Sequence, residues 1–179
     1  MSNTILTPHG GYRNLLSYQT ATIIYDFTVE FTKKYIDYKS RTIDQMVQAA
    51  RSGKQNIAEG STVSGTSKKT EIKLIQVARG SQEELLQDYE DFLRQHNLTL
   101  WDKDDHRTKA LRALAYRSNR SYKTYETYME TPEGAANCAI CLIHQTNYLL
   151  DQQIRTLEKE FLEKGGFTER LYQARKSHQ

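Results

Sequence analysis

Residues 132–166 read PEGAANCAICLIHQTNYLLDQQIRTLEKEFLEKGG, and the fold of the whole chain follows from this stretch. Ile140, Ile143, Asn147, Leu150, Ile154, Leu157 and Phe161 alternate spacings of three and four residues. That alternation puts all seven on one seam of an α-helix, the pattern by which long helices pack lengthwise. Pro132 is pre-organised for a first helical turn and Glu133 suits the positive helix start. Gly165-Gly166 supplies the residue type that closes a helix in the left-handed conformation, and Phe167 to Lys176 adds a short final helix. A seam this long needs partners of similar length to cover it.

Upstream of it, Leu16, Ile23, Phe27, Phe31 and Tyr38 share a helical face and predict a first helix from about Tyr12 to Tyr38. Ser40 or Thr42 is placed to cap a second helix, with Asp44 in its first turn. That helix turns Ile43, Met46, Val47, Ala50, Ile57 and Ala58 inward and is expected to stop at Gly60. Ser61 to Ser67 has no apolar period and reads as a loop ending in a new cap. A third helix follows from Lys68 to His96, with Leu74, Ala78, Leu85, Tyr89 and Phe92 as its stripe. Gly80 and Ser81 leave a gap in that helix where a neighbour approaches closely. Asn97 to Asp105 is a polar connector around the single tryptophan, Trp101, with Asp104 or Asp105 as the next cap. A fourth helix, Arg107 to Met129, carries Leu111, Leu114, Ser118, Tyr122, Tyr125 and Met129 on its face.

These elements predict an all-α fold: an elongated antiparallel four-helix bundle, one domain over residues 1–179, with an additional helix inserted at about 103–130 and a short C-terminal helix. Two prolines and nine glycines in 179 residues agree, because all-β folds spend these residues on frequent turns. No internal repeat recurs, which excludes a solenoid. Only 37% of the chain is apolar. No run reaches the roughly 20 apolar residues that cross a bilayer, the longest candidate, Ala135 to Ile143, being interrupted by Asn137. Met1-Ser2-Asn3-Thr4 has neither the basic nor the apolar part of a secretory leader, so a cytoplasmic protein without a membrane partner is expected.

Two cysteines three residues apart cannot staple distant segments. Cys138 and Cys141 form a C-x-x-C with His144 close behind, which suggests a metal or redox site. Structural zinc wants four ligands, usually from two separated pairs, and a redox pair wants a helix start after a strand. Neither context exists here, so packing is the preferred reading and no cofactor is expected. His9, His96, His106 and His178 are scattered, and Gly10-Gly11 and Gly165-Gly166 lack the context of a phosphate loop. The acidic run Glu83, Glu84, Asp88, Glu90, Asp91 reads as a solvated helix face, and Asn147 as a buried amide that sets helix register.

Charge is unevenly distributed. Residues 39–79 hold eight basic side chains against three acidic, 80–105 two against eight, and 106–129 six against one. Arg41, Arg51, Lys54, Lys68, Lys69, Lys73 and Arg79 are the candidate nucleic-acid-binding residues. Arg51 with Lys54, and Lys69 with Lys73, share helix faces and present a positive ridge that holds phosphates, or else these cations pair with the acidic half of the third helix.

The run Arg51-Ser-Gly-Lys-Gln-Asn-Ile-Ala-Glu-Gly-Ser61, then Ser67-Lys68-Lys69, then Val77-Ala-Arg-Gly-Ser81 with Glu83-Glu84-Leu85, resembles the four-helix-bundle family named after proteins encoded in 23S ribosomal RNA intervening sequences. The first helix and the helix from Cys141 to Phe161 are similar to that family's first and last. Residues 103–130 resemble the insertion of its longer, suffix-type branch, which also takes in Gly10-Gly11-Tyr12-Arg13 and Leu149-Leu150-Asp151. The resemblance implies a bacterial, ring-forming pentamer with no catalytic residues. It also implies a link to accessory proteins of diversity-generating retroelements, which bind reverse transcriptase and nucleic acid. Asn56, Glu59 and Gly60 match its signature and read first as structural, with Gly60 closing a helix.

The expectation is therefore a non-enzymatic oligomeric scaffold whose partner is RNA, DNA or a nucleic-acid enzyme. The alternative is a metal- or redox-active bundle using Cys138, Cys141 and His144. Ile24, Tyr25 and Tyr35 of the first helix, and Tyr116, Tyr122, Tyr125 and Tyr128 of the fourth, are surplus to one bundle's stripes and are assigned to subunit contacts.

Overall fold

The computed structural model describes residues 9–177. Helices α1 (Leu16–Tyr35), α2 (Thr42–Val63), α3 (Lys68–Gln95), α4 (His106–Leu114), α5 (Pro132–Lys164) and α6 (Phe167–Ser177) are joined by turns, and the described residues hold no strand. Short 3-10 turns lie at Tyr12–Asn14, Tyr122–Thr124 and Glu126–Glu130. The all-α expectation holds. The opening residues Met1 to Thr4 and His178 lie outside the described residues.

Local chemistry sets the helix ends. Thr131 Oγ1 accepts the Gly134 N–H at 3.1 Å just ahead of Pro132, which needs no donor partner in the first turn. At the other end Gly165 turns to φ 64° and its N–H donates to Phe161 O. Ser67 Oγ accepts the Thr70 N–H and starts α3, while Asp105 accepts the Arg107 N–H and starts α4.

Helices α1, α2, α3 and α5 form the bundle, each antiparallel to the next around the cycle. Gly53 faces Gln82 and Gly60 faces Ile75 between α2 and α3, and Lys68 reaches Glu160 while Arg79 reaches Asp151 between α3 and α5. Ser17 donates to Gln153 at one end of the α1–α5 pair, while Lys34 and Tyr35 donate to Met129 O at the other. Across the core α1 and α3 run parallel, with Tyr89 donating to Thr28 and Phe31 edge-on to Tyr89 and Phe92. With its 33 residues α5 is about 50 Å long, so the bundle is elongated. One core cluster centres on Phe27, Phe31, Met46, Leu85, Tyr89 and Leu142, and a second on Ala21, Ile57, Ile75, Ala78, Leu150 and Leu157. Each large buried side chain contributes roughly 1.5–3 kcal/mol of apolar burial.

Several expected boundaries are corrected. α1 starts at Leu16 and ends at Tyr35, because Tyr12–Asn14 is a separate turn and the backbone becomes extended at Ile36. Leu16 and Tyr38 consequently sit outside the core, at 56% and 81% exposure, and Ile24 is inside at 1%. α2 passes through Gly60 and ends at Val63. Gly60 is a contact glycine, since a Cβ there would lie 3.2 Å from Ile75 Cδ1, and Thr62 satisfies its hydroxyl within the helix on Ala58 O. Ser40 Oγ accepts the Thr42 N–H, but Thr42 is itself the first helical residue. Ile75 takes the buried position in α3 and Leu74 is only half-buried. Ser81 does meet a neighbour, its hydroxyl 2.9 Å from that of Ser52, whereas Gly80 is exposed with no other atom near its absent Cβ.

The largest correction is the fourth helix. Only His106–Leu114 is α-helical: from Ala115 to Arg117 the backbone N–H groups bond carbonyls three residues back, Asn119 at φ 54° then turns the chain, and 3-10 turns follow. The segment folds back over α1 and α5. Tyr125 and Met129 are buried there, and Tyr122 and Tyr128 pack against the core, as does Tyr35 of α1. Most of the aromatic surface assigned to subunit contacts is thus covered by the chain itself, with Tyr116 left at 92% exposure.

Candidate functional site

The seven candidate basic residues divide by partner. Lys68 lies between Glu71 at 2.8 Å and Glu160 at 3.6 Å, and Arg79 between Glu83 at 2.7 Å and Asp151 at 3.3 Å. Burial pushes the Glu71 carboxyl up, against the pull of Lys68. The Lys54 ammonium sits 4.6 Å over the Tyr25 ring. Arg41, Arg51, Lys69 and Lys73 are exposed and make no ion pair with any described residue. The register of Gly53 on Gln82 and Gly60 on Ile75 puts Arg51 level with Glu84. From there Lys73 and Lys69 are roughly 17–22 Å along the axis, and Arg41 lies towards the opposite end.

Asn56 Nδ2 donates to Ser52 O at 2.9 Å and to Ser52 Oγ at 3.2 Å, one turn back along α2. Glu59 is exposed, and Gly60 is pressed against α3. The N-I-A-E-G run therefore lies within a helix, its glycine serving the α2–α3 contact and its asparagine holding Ser52, whose hydroxyl meets Ser81.

Cys138 and Cys141 are free thiols on the buried side of α5. Burial pushes Cys138 well above the usual thiol range. It raises Cys141 as well, although the Arg112 guanidinium and the Gln145 amide pull the other way. The thiolate is the nucleophile and metal ligand, so both groups are held in their less reactive form. His144 points to the exposed side of the helix, and no three His, Cys, Asp or Glu side chains come together as a metal would require among the described residues.

Where the inserted segment folds over α1 and α5 it leaves a cleft of about 670 Å³. Trp101 and Lys103 of the connector, Arg112 of α4, and Tyr116 and Arg120 beyond it line one side. Leu16 and Thr20 of α1 and Ile140, Cys141, Gln145 and Leu149 of α5 line the other. The segment is pinned by single directional contacts. The Trp101 backbone N–H donates to Asn137 Oδ1 and its indole to Glu133 Oε1, both at 2.8 Å, and Asn137 donates in return to Thr99 O. Arg107 covers the indole at 4.2 Å and reaches Glu133 and Asp105. Hydrogen bonds from Arg107 hold the Asp105 carboxyl down to about 2, and those from Trp101 and Thr99 lower Glu133. Arg120 donates to Tyr125 Oη at 3.2 Å and Thr20 Oγ1 at 3.3 Å, while Arg112 donates to Lys103 O at 3.1 Å.

Of the residues lining this cleft, the sequence marks Cys141 and His144 as a metal or redox candidate and Tyr116 as a subunit contact, but joins none of them into one site. The signal for the rest was the basic block 106–129 with its interleaved tyrosines. Comparison with family models, curated proteins and solved structures finds no match to the chain.

Proposed function

We propose that this chain is a non-enzymatic four-helix-bundle scaffold that assembles with copies of itself and contacts RNA, DNA or a nucleic-acid enzyme through α2 and α3. The observation that carries the reading is the set of four exposed cations, Arg41 just ahead of α2, Arg51 on α2, and Lys69 and Lys73 on α3, where Lys68 and Arg79 are already neutralised by carboxylates. Cations without internal partners are available to phosphates. The four-helix architecture agrees with the resemblance of the Arg51–Ser61 and Val77–Leu85 runs to the intervening-sequence family, whose ring-forming members make a pentamer the assembly to test. The metal or redox alternative has less support, with both thiols protonated and His144 turned away from the core.

Sedimentation velocity with a fluorescent single-stranded RNA and its DNA counterpart tests both halves of the reading. The logarithm of affinity should fall linearly with that of salt concentration. Replacing Arg51, Lys69 and Lys73 together with Gln should reduce the slope by about two to three phosphate contacts. The free protein should sediment as a multiple of its 20.8 kDa mass. Absence of binding at low salt defeats the nucleic-acid half, and a monomer throughout the micromolar range defeats the assembly half.

A further inference from the structure

We infer that the cleft beneath the inserted segment is a binding site for a small organic anion: a carboxylate or phosphate carried on a flat apolar or aromatic body. The residues lining it include Lys103, Arg112 and Arg120 and not one Asp or Glu. Neither Arg112 nor Arg120 makes an ion pair with any described residue, although both are oriented by hydrogen bonds to neutral oxygens. A guanidinium has five donors, and the bonds described for Arg120 use two of them. Two positioned guanidiniums in a partly enclosed, apolar-walled space bind an anion more strongly than the same groups do on an open surface.

The walls define the rest of the ligand. Leu16, Tyr116 and Tyr148 stand at the rim at 56%, 92% and 64% exposure, an unusual concentration of uncovered apolar and aromatic surface for one cleft. Trp101 and Ile140 extend that surface inward. The volume lies within the roughly 300–1,000 Å³ of small-molecule sites, too small for a folded partner. This site is on the α1–α5 side and does not depend on the basic residues of α2 and α3.

Trp101 is the only tryptophan in the chain and lines the cleft, so its fluorescence reports occupancy directly. Four probes separate the components: phenyl phosphate, phenylacetate, neutral phenylacetamide and inorganic phosphate. One or both aromatic anions should saturate the signal, at least about tenfold more tightly than the amide or bare phosphate, and comparing them shows which anionic group is preferred. Arg112→Gln should weaken that binding about tenfold or more, and Ala115→Phe, which fills the cleft from α4's end, should abolish it, with circular dichroism confirming that both variants remain helical. Equal binding of the amide, no saturation by either aromatic anion, or wild-type affinity in a folded variant would overturn the assignment. The amide comparison uses the unaltered chain and stands even where a variant does not fold.

Discussion

The α2–α3 hairpin and the inserted segment between α3 and α5 are held in place by different physics. Along the hairpin, contact is continuous and made by small groups: Gly53 and Gly60 let the helices close onto Gln82 and Ile75, and Ser52 meets Ser81 hydroxyl to hydroxyl. The inserted segment anchors Leu111, Tyr125 and Met129 in the core and is otherwise tied at a few points: Trp101 to Asn137 and Glu133, Arg107 to Asp105 and Glu133, Arg120 to Thr20, and Met129 O to Lys34 and Tyr35. Spread packing distributes its energy over many weak contacts, whereas point attachment concentrates it in directional bonds that are lost one at a time. The segment that roofs the cleft is therefore the part of the fold most open to adjustment while the bundle stays intact.

The most severe test of the continuous core is Phe31→Ala. Phe31 is fully buried against Tyr35, Tyr89 and Phe92, and its truncation should cost about 3–5 kcal/mol in urea denaturation followed by circular dichroism. A loss below about 1 kcal/mol would mean that the core collapses around the gap and is not tightly packed.

A smaller, local effect is expected from Glu133→Gln, which weakens the acceptor for Trp101 and Thr99 and removes the charge facing Arg107. The segment should loosen by about 1–3 kcal/mol, seen as red-shifted, quencher-accessible Trp101 emission with helical circular dichroism retained. Acid should act on the same contacts. Asp105 and Glu133 are depressed in the folded chain, so the stability they contribute is present above the ordinary carboxylate range. It is lost as pH falls through the folded values, a window from about pH 4 to about pH 2. Glu71 has the opposite sign, since burial raises it and protonation relieves a penalty near Lys68. Trp101 exposure should thus precede loss of helicity, and a single coincident transition would break the distinction between the two regions.

The smallest effects come from two glycines. Gly80→Ala adds a methyl to an exposed helix position with nothing near it and should stabilise the chain by about 0.5–1 kcal/mol. Gly53→Ala drives a Cβ into the fully buried Gln82 side-chain amide and should destabilise it. Thermal melts that move both variants in the same direction would contradict the placing of the close α2–α3 approach at Gly53.

Legibility follows the same division. The seam of α5 was readable, with Ile140, Ile143, Asn147, Leu150 and Leu157 all buried, because a helix repeats its inward face and leaves a period in the sequence. The glycines were readable as special but not in role: Gly60 in the sequence looks like a helix stop, and only the position of Ile75 shows why it is a contact. Residues 115–130 misled because their tyrosines keep a helical spacing while Asn119 turns the backbone out of the helix. The cleft was not legible, since Arg112, Arg120 and Trp101 are joined by no period or motif.

The helical class, the long α5 and the starts of α3, α4 and α5 are local properties of the sequence, because periodicity, capping and proline act through neighbours a turn apart. Which cations are neutralised, which glycine admits a neighbouring helix, and the cleft that joins α1 to the inserted segment and α5, elements far apart in the chain, follow from the packing alone. Those features depend on where distant side chains meet, and the meeting is set by helix register and by one aperiodic segment folding back across the bundle.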